Sequence, residues 1–207
     1  MSLLQKTFPP CCVSCSSEGS LFCEVCCNEI DFLYFTPKLE GLDYDLQVLS
    51  FYLPPLSIAI KAYKYQGVYK LAPIFASLLY KHLIFAPSID IITSVPLHKK
   101  KRRLRGFDQT KLVAKELSLK INKPYFPLLK KIKHTQNLAS TSNQNLRSSL
   151  VENSFVINKK HQQKITSKHI LLFDDVVTSG NTLRACAEQL SLKKPKKITI
   201  MTLAHGG

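Results

Sequence analysis

"ILLFDDVVTSGNTL", residues 170–183, is the stretch that decides the fold. Four apolar residues, Ile170 to Phe173, have the length of a buried strand. Two carboxylates follow, Asp174 and Asp175, then the loop "VVTSG", and a helical pattern starts at Asn181. In open α/β sheets ligands bind beyond the carboxyl ends of strands. The N–H groups of the following helix point there and carry partial positive charge. Thr178, Ser179 and Thr182 add hydroxyl donors, and Gly180 permits a conformation that a side chain would forbid. Val177, Thr178, Ser179, Gly180, Asn181 and Thr182 are therefore expected to cradle a monophosphate.

Two acids at the mouth of a phosphate loop would repel a bare phosphate. They need not face it. A diol attached to the phosphate can donate its hydroxyls to Asp174 and Asp175 instead. The G-x-x-x-x-G-K-[ST] string is absent, which argues against a P-loop nucleoside triphosphatase. Phosphate-receiving signalling domains carry their acid pair at the first strand, whereas this pair lies near the end of the chain. Acids that merely cap the helix are the plain structural alternative.

Working outward, strands and helices alternate. "YDLQVLSFY" reads as a strand covering the main domain. Pro54-Pro55 open a helix through Ile60 and Tyr63 that Gly67 ends, and Pro73 fits the first turn of the next. "IDIITSV" is a strand, and a helix runs from Phe107 to about Leu119. "YFPLLKKIK" is an edge strand, since Pro127 cannot donate to a ladder. "HTQNLASTSNQNLRSS" is a long polar loop, and "SFVI" and "KKITIMTLA" are strands. The alternation implies a parallel sheet with helices on both faces. Cys186 lies on the apolar face of its helix and is expected to be a core residue.

The first 45 residues differ in character. They hold two lysines against seven carboxylates, whereas residues 46–207 hold 27 Lys and Arg against seven. Residues 1–45 and 46–207 are thus expected to be separate units. The basic excess of the second implies a polyanionic partner. Six of the seven cysteines fall in "CCVSCSSEGSLFCEVCC", residues 11–27. Cys12 and Cys15, and Cys23 and Cys26, form two C-x2-C pairs. Each can set two thiolates on a tight turn, and together they fit a closed, structural zinc site. A ligand shift to Cys11 or Cys27 gives poorer spacing, and a disulfide cluster is the alternative. No secretory segment and no apolar run of ~18–20 residues is present. A cytoplasmic protein is expected, and in the reducing cytosol zinc is favoured over disulfides.

The string from Ile170 to Thr182 resembles the phosphoribosyl pyrophosphate (PRPP) motif of type I phosphoribosyltransferases. The resemblance implies ribose contacts from Asp174 and Asp175 and 5′-phosphate contacts from Val177 to Thr182. "VPLHKKKRRLRGFDQ", residues 95–109, looks like the pyrophosphate-loop region of the ComF family of competence proteins. "TQNLASTSNQNLRSSLVENSF" looks like that family's flexible loop and its R-x-x-N-x-x-x-x-F element. Asp108 and Leu150 stand where the family has Asn; Arg105, Gly106, Phe107, Gln109, Arg147 and Phe155 are retained. The resemblance implies a type I phosphoribosyltransferase-like α/β fold behind a zinc-ribbon-like module. Lys101, Arg103, Arg105 and Gly106 would then hold pyrophosphate with Mg²⁺.

Six cations, Lys99, Lys100, Lys101, Arg102, Arg103 and Arg105, exceed what one pyrophosphate needs, and the surplus fits a longer polyanion, which the ComF resemblance implies is single-stranded DNA. Further clusters are Lys130-Lys131-Lys133, Lys159-Lys160 and Lys193 to Lys197. Tyr63, Tyr65, Tyr69 and Phe107 offer stacking faces, although each taken singly is first a packing residue. The family implies a role in natural transformation alongside other DNA-uptake proteins, held at the inner membrane only through them. The other reading is an enzyme transferring ribose 5-phosphate from PRPP to an unidentified acceptor.

Overall fold

The computed structural model describes residues 9–33, 39, 41–82, 88–133 and 154–206. Strands β1 (Asp45–Phe51), β2 (Ile91–Ser94), β5 (His169–Val177) and β6 (Lys197–His205) form one parallel sheet in the order β1-β6-β5-β2. A second, antiparallel pair joins β3 (Leu129–Lys131) to β4 (Phe155–Ile157). The helices are α1 (Glu24–Asn28), α2 (Leu56–Tyr65), α3 (Ala72–His82), α4 (Lys99–Arg105), α5 (Gln109–Lys120) and α6 (Asn181–Ser191).

Both faces of the sheet are buried, as a parallel sheet requires. On one face Leu171, Phe173, Met201 and Leu203 pack against α2, α3 and α5 through residues such as Ile60, Phe75 and Val113. On the other, Ile170, Leu172 and Ile200 pack against Leu183, Cys186 and Leu190 of α6 and against Leu129 and Phe155 of the ribbon. Cys186 is fully buried, and burial pushes its thiol well up.

Two expectations change. First, β1 does not cover the domain: it is a strand of the main sheet, paired in parallel with β6 from Asp45 to Phe51. Second, the segment after β2 is not a bare loop. Lys and Arg are good helix formers, and seven of its residues make α4. His98 Nδ1 caps that helix by accepting from Lys100 N–H (3.3 Å), and Gly106 closes it in the left-handed conformation (φ 77°).

The N-terminal cysteine segment does not build a core of its own. Phe22 and Ile30 are buried in the same cluster as Leu49, Leu56 and Phe75. Residues 31–33 also lie along the free side of β1. Leu33 N–H donates to Leu49 O (2.9 Å), and Ser50 Oγ donates to Asp31 O (2.7 Å).

Candidate functional site

β2 is followed by α4 and α5 and then by Tyr125, which bridges to Ile92 on the outer side of β2. β5 is followed by α6 and then by β6, on the opposite side. The chain therefore leaves these two neighbouring strands in opposite directions. Their carboxyl ends frame a crevice at a topological switch point, the place where such sheets bind ligands.

β5 runs further than its apolar residues indicate. Asp174, Val176 and Val177 remain in register with Thr202, Ala204 and His205, so the loop shrinks to Thr178–Gly180. Val177 is a buried strand residue whose side chain joins the core. Asp174 and Thr178 to Thr182 line a cavity of about 60 Å³ at the start of α6. Gly180 has φ 72°, and a Cβ there would sit 3.3 Å from Leu39 Cδ1. The left-handed backbone favours glycine, and any side chain here would also make Leu39 give by a few tenths of an ångström.

Because the two acids lie in a strand, their side chains leave on opposite faces. Asp175 is 6% exposed and points to the α2 face. There its Oδ1 meets Lys64 Nζ at 2.7 Å, and Gln109 Nε2 donates to its Oδ2 (3.4 Å). Asp174 sits on the α6 face. Burial and then the charge of Asp175 push its carboxyl up to about 7, against a hydrogen bond from Asp175 N–H (2.9 Å). Burial alone would depress the Lys64 ammonium, but the charge of Asp175 and the bond to it hold it above its usual range.

Cations from three elements close on the crevice. In α4, Lys101 and Arg105 are four apart and share a face. Arg105 lies over the Tyr65 ring (5.2 Å). Burial lowers Lys101, and Arg105 and Lys64 lower it further. Lys131 of β3 is lowered by burial and then by Lys101, while Asp174 opposes the shift; its Nζ sits 5.0 Å over the Phe155 ring. Ammonium groups depressed by one another are stabilised when an anion arrives. Of the expected pyrophosphate residues, Lys101 and Arg105 are half-buried, whereas Arg103 and Gly106 are exposed. Lys99, Lys100 and Arg102 are exposed as well.

Sequence reasoning missed Lys64 and passed over Lys131 as one member of a cluster. Both carried a signal: Lys64 follows Ile60 by one helical turn, and Lys131 follows Leu129 at strand spacing, so each lysine occupies an inward position. Tyr63 is no stacking face, since it is fully buried and its hydroxyl donates to Gln109 O (2.8 Å). Tyr65 and Tyr69 stay 72% and 56% exposed. Asp108 caps α5, its Oδ1 accepting from Lys111 N–H (3.2 Å) and from Thr110 Oγ1 (3.1 Å). Asp and Asn are equally good in that position, which accounts for the exchange. Arg147, Leu150 and the long polar loop lie outside the described residues.

A second, larger cavity of about 490 Å³ opens on the outer side of β2, between α4, the start of α5 and β3.

The cysteines converge. The Sγ atoms of Cys12, Cys15, Cys23 and Cys26 lie within 4.8 Å of one another, with Cys12–Cys26 at 3.8 Å and Cys15–Cys23 at 3.5 Å. A tetrahedron with Zn–S arms of about 2.3 Å has edges of roughly 3.8 Å, so the four thiolates fit that ion. Cys23 and Cys26 sit at the first turn of α1 rather than on a second turn. The Cys26 N–H holds the Cys23 thiol down, to about 6, whereas burial pushes Cys26 up to about 12. Cys11 and Cys27 point elsewhere, towards Pro9 O and Phe22 O.

The family described as Phosphoribosyl transferase domain matches residues 111–207. Competence protein F of Haemophilus influenzae is 27% identical over 97% of this chain and 86% of its own length. DNA utilization protein YhgH of Salmonella typhi is 28% identical over 69% of this chain. That match spans 63% of the relative, less than two thirds of it. A solved structure of the allosteric regulatory enzyme of purine biosynthesis has a TM-score of 0.44 at 16% identity. It covers 65% of this chain and 26% of its own.

Proposed function

Since this chain is a homologue of Competence protein F that carries a phosphoribosyl transferase domain, we propose that it binds PRPP and single-stranded DNA and acts in the uptake of DNA. The observation that carries the reading is the crevice between β2 and β5. A short loop at a helix start, a half-buried carboxylate and lysines from three elements face one another there. Thr178 to Thr182 hold the 5′-phosphate. Asp174 accepts hydrogen bonds from the ribose hydroxyls, while Asp175, on the opposite face, keeps its oxygens on Lys64 and Gln109 and so fixes that lysine beside the crevice. Lys101 and Arg105 face the diphosphate, whose remaining charge Mg²⁺ neutralises when bound.

The exposed cations of α4 and the Tyr65 and Tyr69 rings suit a single strand, with phosphates on the cations and bases on the rings. Cys12, Cys15, Cys23 and Cys26 hold structural zinc. Among the described residues no helix is long and apolar enough to cross a membrane. We place the protein in the cytoplasm, reaching the inner membrane through other uptake proteins.

Titration calorimetry with PRPP and Mg²⁺ tests the crevice. Asp174→Asn/Asp175→Asn should weaken binding, and equal affinity would sink the assignment. For DNA, the affinity of a labelled oligonucleotide should fall steeply with salt, because each phosphate contact releases counterions. An affinity flat from low to physiological salt rejects the electrostatic account.

A further inference from the structure

We infer that the cavity outside β2 is a binding site for one nucleotide unit, a base together with its phosphate. Its volume of about 490 Å³ lies in the range of small-ligand pockets, roughly 300–1,000 Å³. Its wall has two parts of different chemistry. One is apolar and includes Pro127, Leu129, Ile132 and the Tyr125 ring. The Tyr125 hydroxyl pairs with Ser94 Oγ at 3.0 Å, which turns the polar tip of that ring towards the sheet. The other part is cationic, with Lys99, Arg102, Lys111, Lys130 and Lys131 against a single carboxylate, Asp108.

That carboxylate already caps α5 through Oδ1, so it leaves the positive excess standing. A free phosphate would satisfy the cations and leave the apolar wall wet. A neutral base would cover the wall and leave the cations unmatched. A nucleotide satisfies both.

The site adjoins the crevice at Lys131 but has its own lining. None of the residues that line the 60 Å³ cavity at the start of α6 lines this one. Of α4, Lys99 and Arg102 line the cavity, whereas Lys101 does not and instead feels the charges of Lys64 and Asp175. Lys131 lies between them, since it lines the cavity and feels the charge of Asp174. The nucleotide can be free or the end of a DNA strand, because both present the same base and phosphate.

The test is calorimetry on the full chain with adenosine 3′-monophosphate (AMP), adenosine and inorganic phosphate as probes; lacking a 5′-phosphate and a free 3′-hydroxyl, this AMP does not fit the crevice. Two variants separate the sites. Lys130→Glu/Ile132→Glu alters the cavity at exposed positions, and Thr178→Glu puts a negative charge into the crevice loop. AMP should bind wild type at least tenfold more tightly than adenosine or phosphate does. The cavity variant should weaken AMP at least tenfold, and Thr178→Glu should leave it unchanged.

The reverse pattern, with AMP lost in Thr178→Glu and kept in the cavity variant, places its phosphate in the crevice and overturns the inference. So does the absence of AMP binding at millimolar concentration. PRPP binding to the same proteins is read separately, so a failed crevice and a failed cavity are told apart. Competition of AMP by a 5′-phosphorylated octathymidylate assigns the site to strand ends. An octathymidylate that leaves AMP in place assigns it to free nucleotides, and both results support the site.

Discussion

Replacing Lys64 by Met removes the charge that Asp175 faces inside the protein. The two groups are 2.7 Å apart, and their side chains are 14% and 9% exposed. At an effective dielectric of about 20, charges at that separation attract by about 6 kcal/mol, most of which offsets their desolvation. Removing one partner of such a pair costs about 3–5 kcal/mol, because the other is left buried and uncompensated. Gln109 Nε2 still donates to Asp175 at 3.4 Å. That remaining bond places the expected loss at the lower end, about 3 kcal/mol. For a chain of about 200 residues this lowers Tm by roughly 6–12 °C. Urea unfolding followed by circular dichroism gives the free energy, and a double-mutant cycle with Asp175→Asn isolates the pair. The double variant should regain much of the loss, with a coupling of at least about 2 kcal/mol. A loss below about 0.5 kcal/mol, or strict additivity, would refute the buried pair as the anchor of Asp175.

Asp174 should make stability depend on pH. Its folded pKa is raised from 3.8 to about 7, so its contribution is fully present below 3.8 and is lost as pH climbs through 7. Urea midpoints from pH 5 to 8 should fall more in wild type than in Asp174→Asn. Gly180→Ala should cost about 1–2 kcal/mol from its left-handed backbone, with some addition from the contact at Leu39, read from the same midpoints. Cys23→Ser should abolish bound zinc in a metal analysis of purified protein, while Cys27→Ser should keep it. Zinc retained without Cys23 would count against the four-thiolate site.

The parallel sheet was legible because its central strand is a continuous apolar run, Ile170 to Phe173, followed by a helix start. Its true end was not. "VVTSG" after the two acids read as loop, yet Val176 and Val177 continue the ladder beside β6, and that β-branched pair was the available signal. Within the strand the two acids diverge, and Asp175 takes an internal partner that no local pattern shows. The cysteine pairs were legible from spacing alone, because metal geometry is local. Lys64 lies far from β5 in sequence, so only packing brings it to Asp175. The charge step near residue 45 marks a change of composition, but apolar contacts cross it, since surface charge reports on solvent and Phe22 and Ile30 report on the core.

Residues 31–33, lying along β1, carry one more consequence. A parallel sheet that ends in an open strand offers its unpaired N–H and C=O groups to any passing chain, including another copy of itself. Here the segment that leads out of the cysteine cluster takes that place, bonded to Leu49 and Ser50. On the proposed zinc reading, stripping the metal would therefore do more than unravel a small appendage. It would loosen the guard on the sheet's outer strand, and the expected sign of zinc loss is self-association of the whole protein before any change in its ligand crevice.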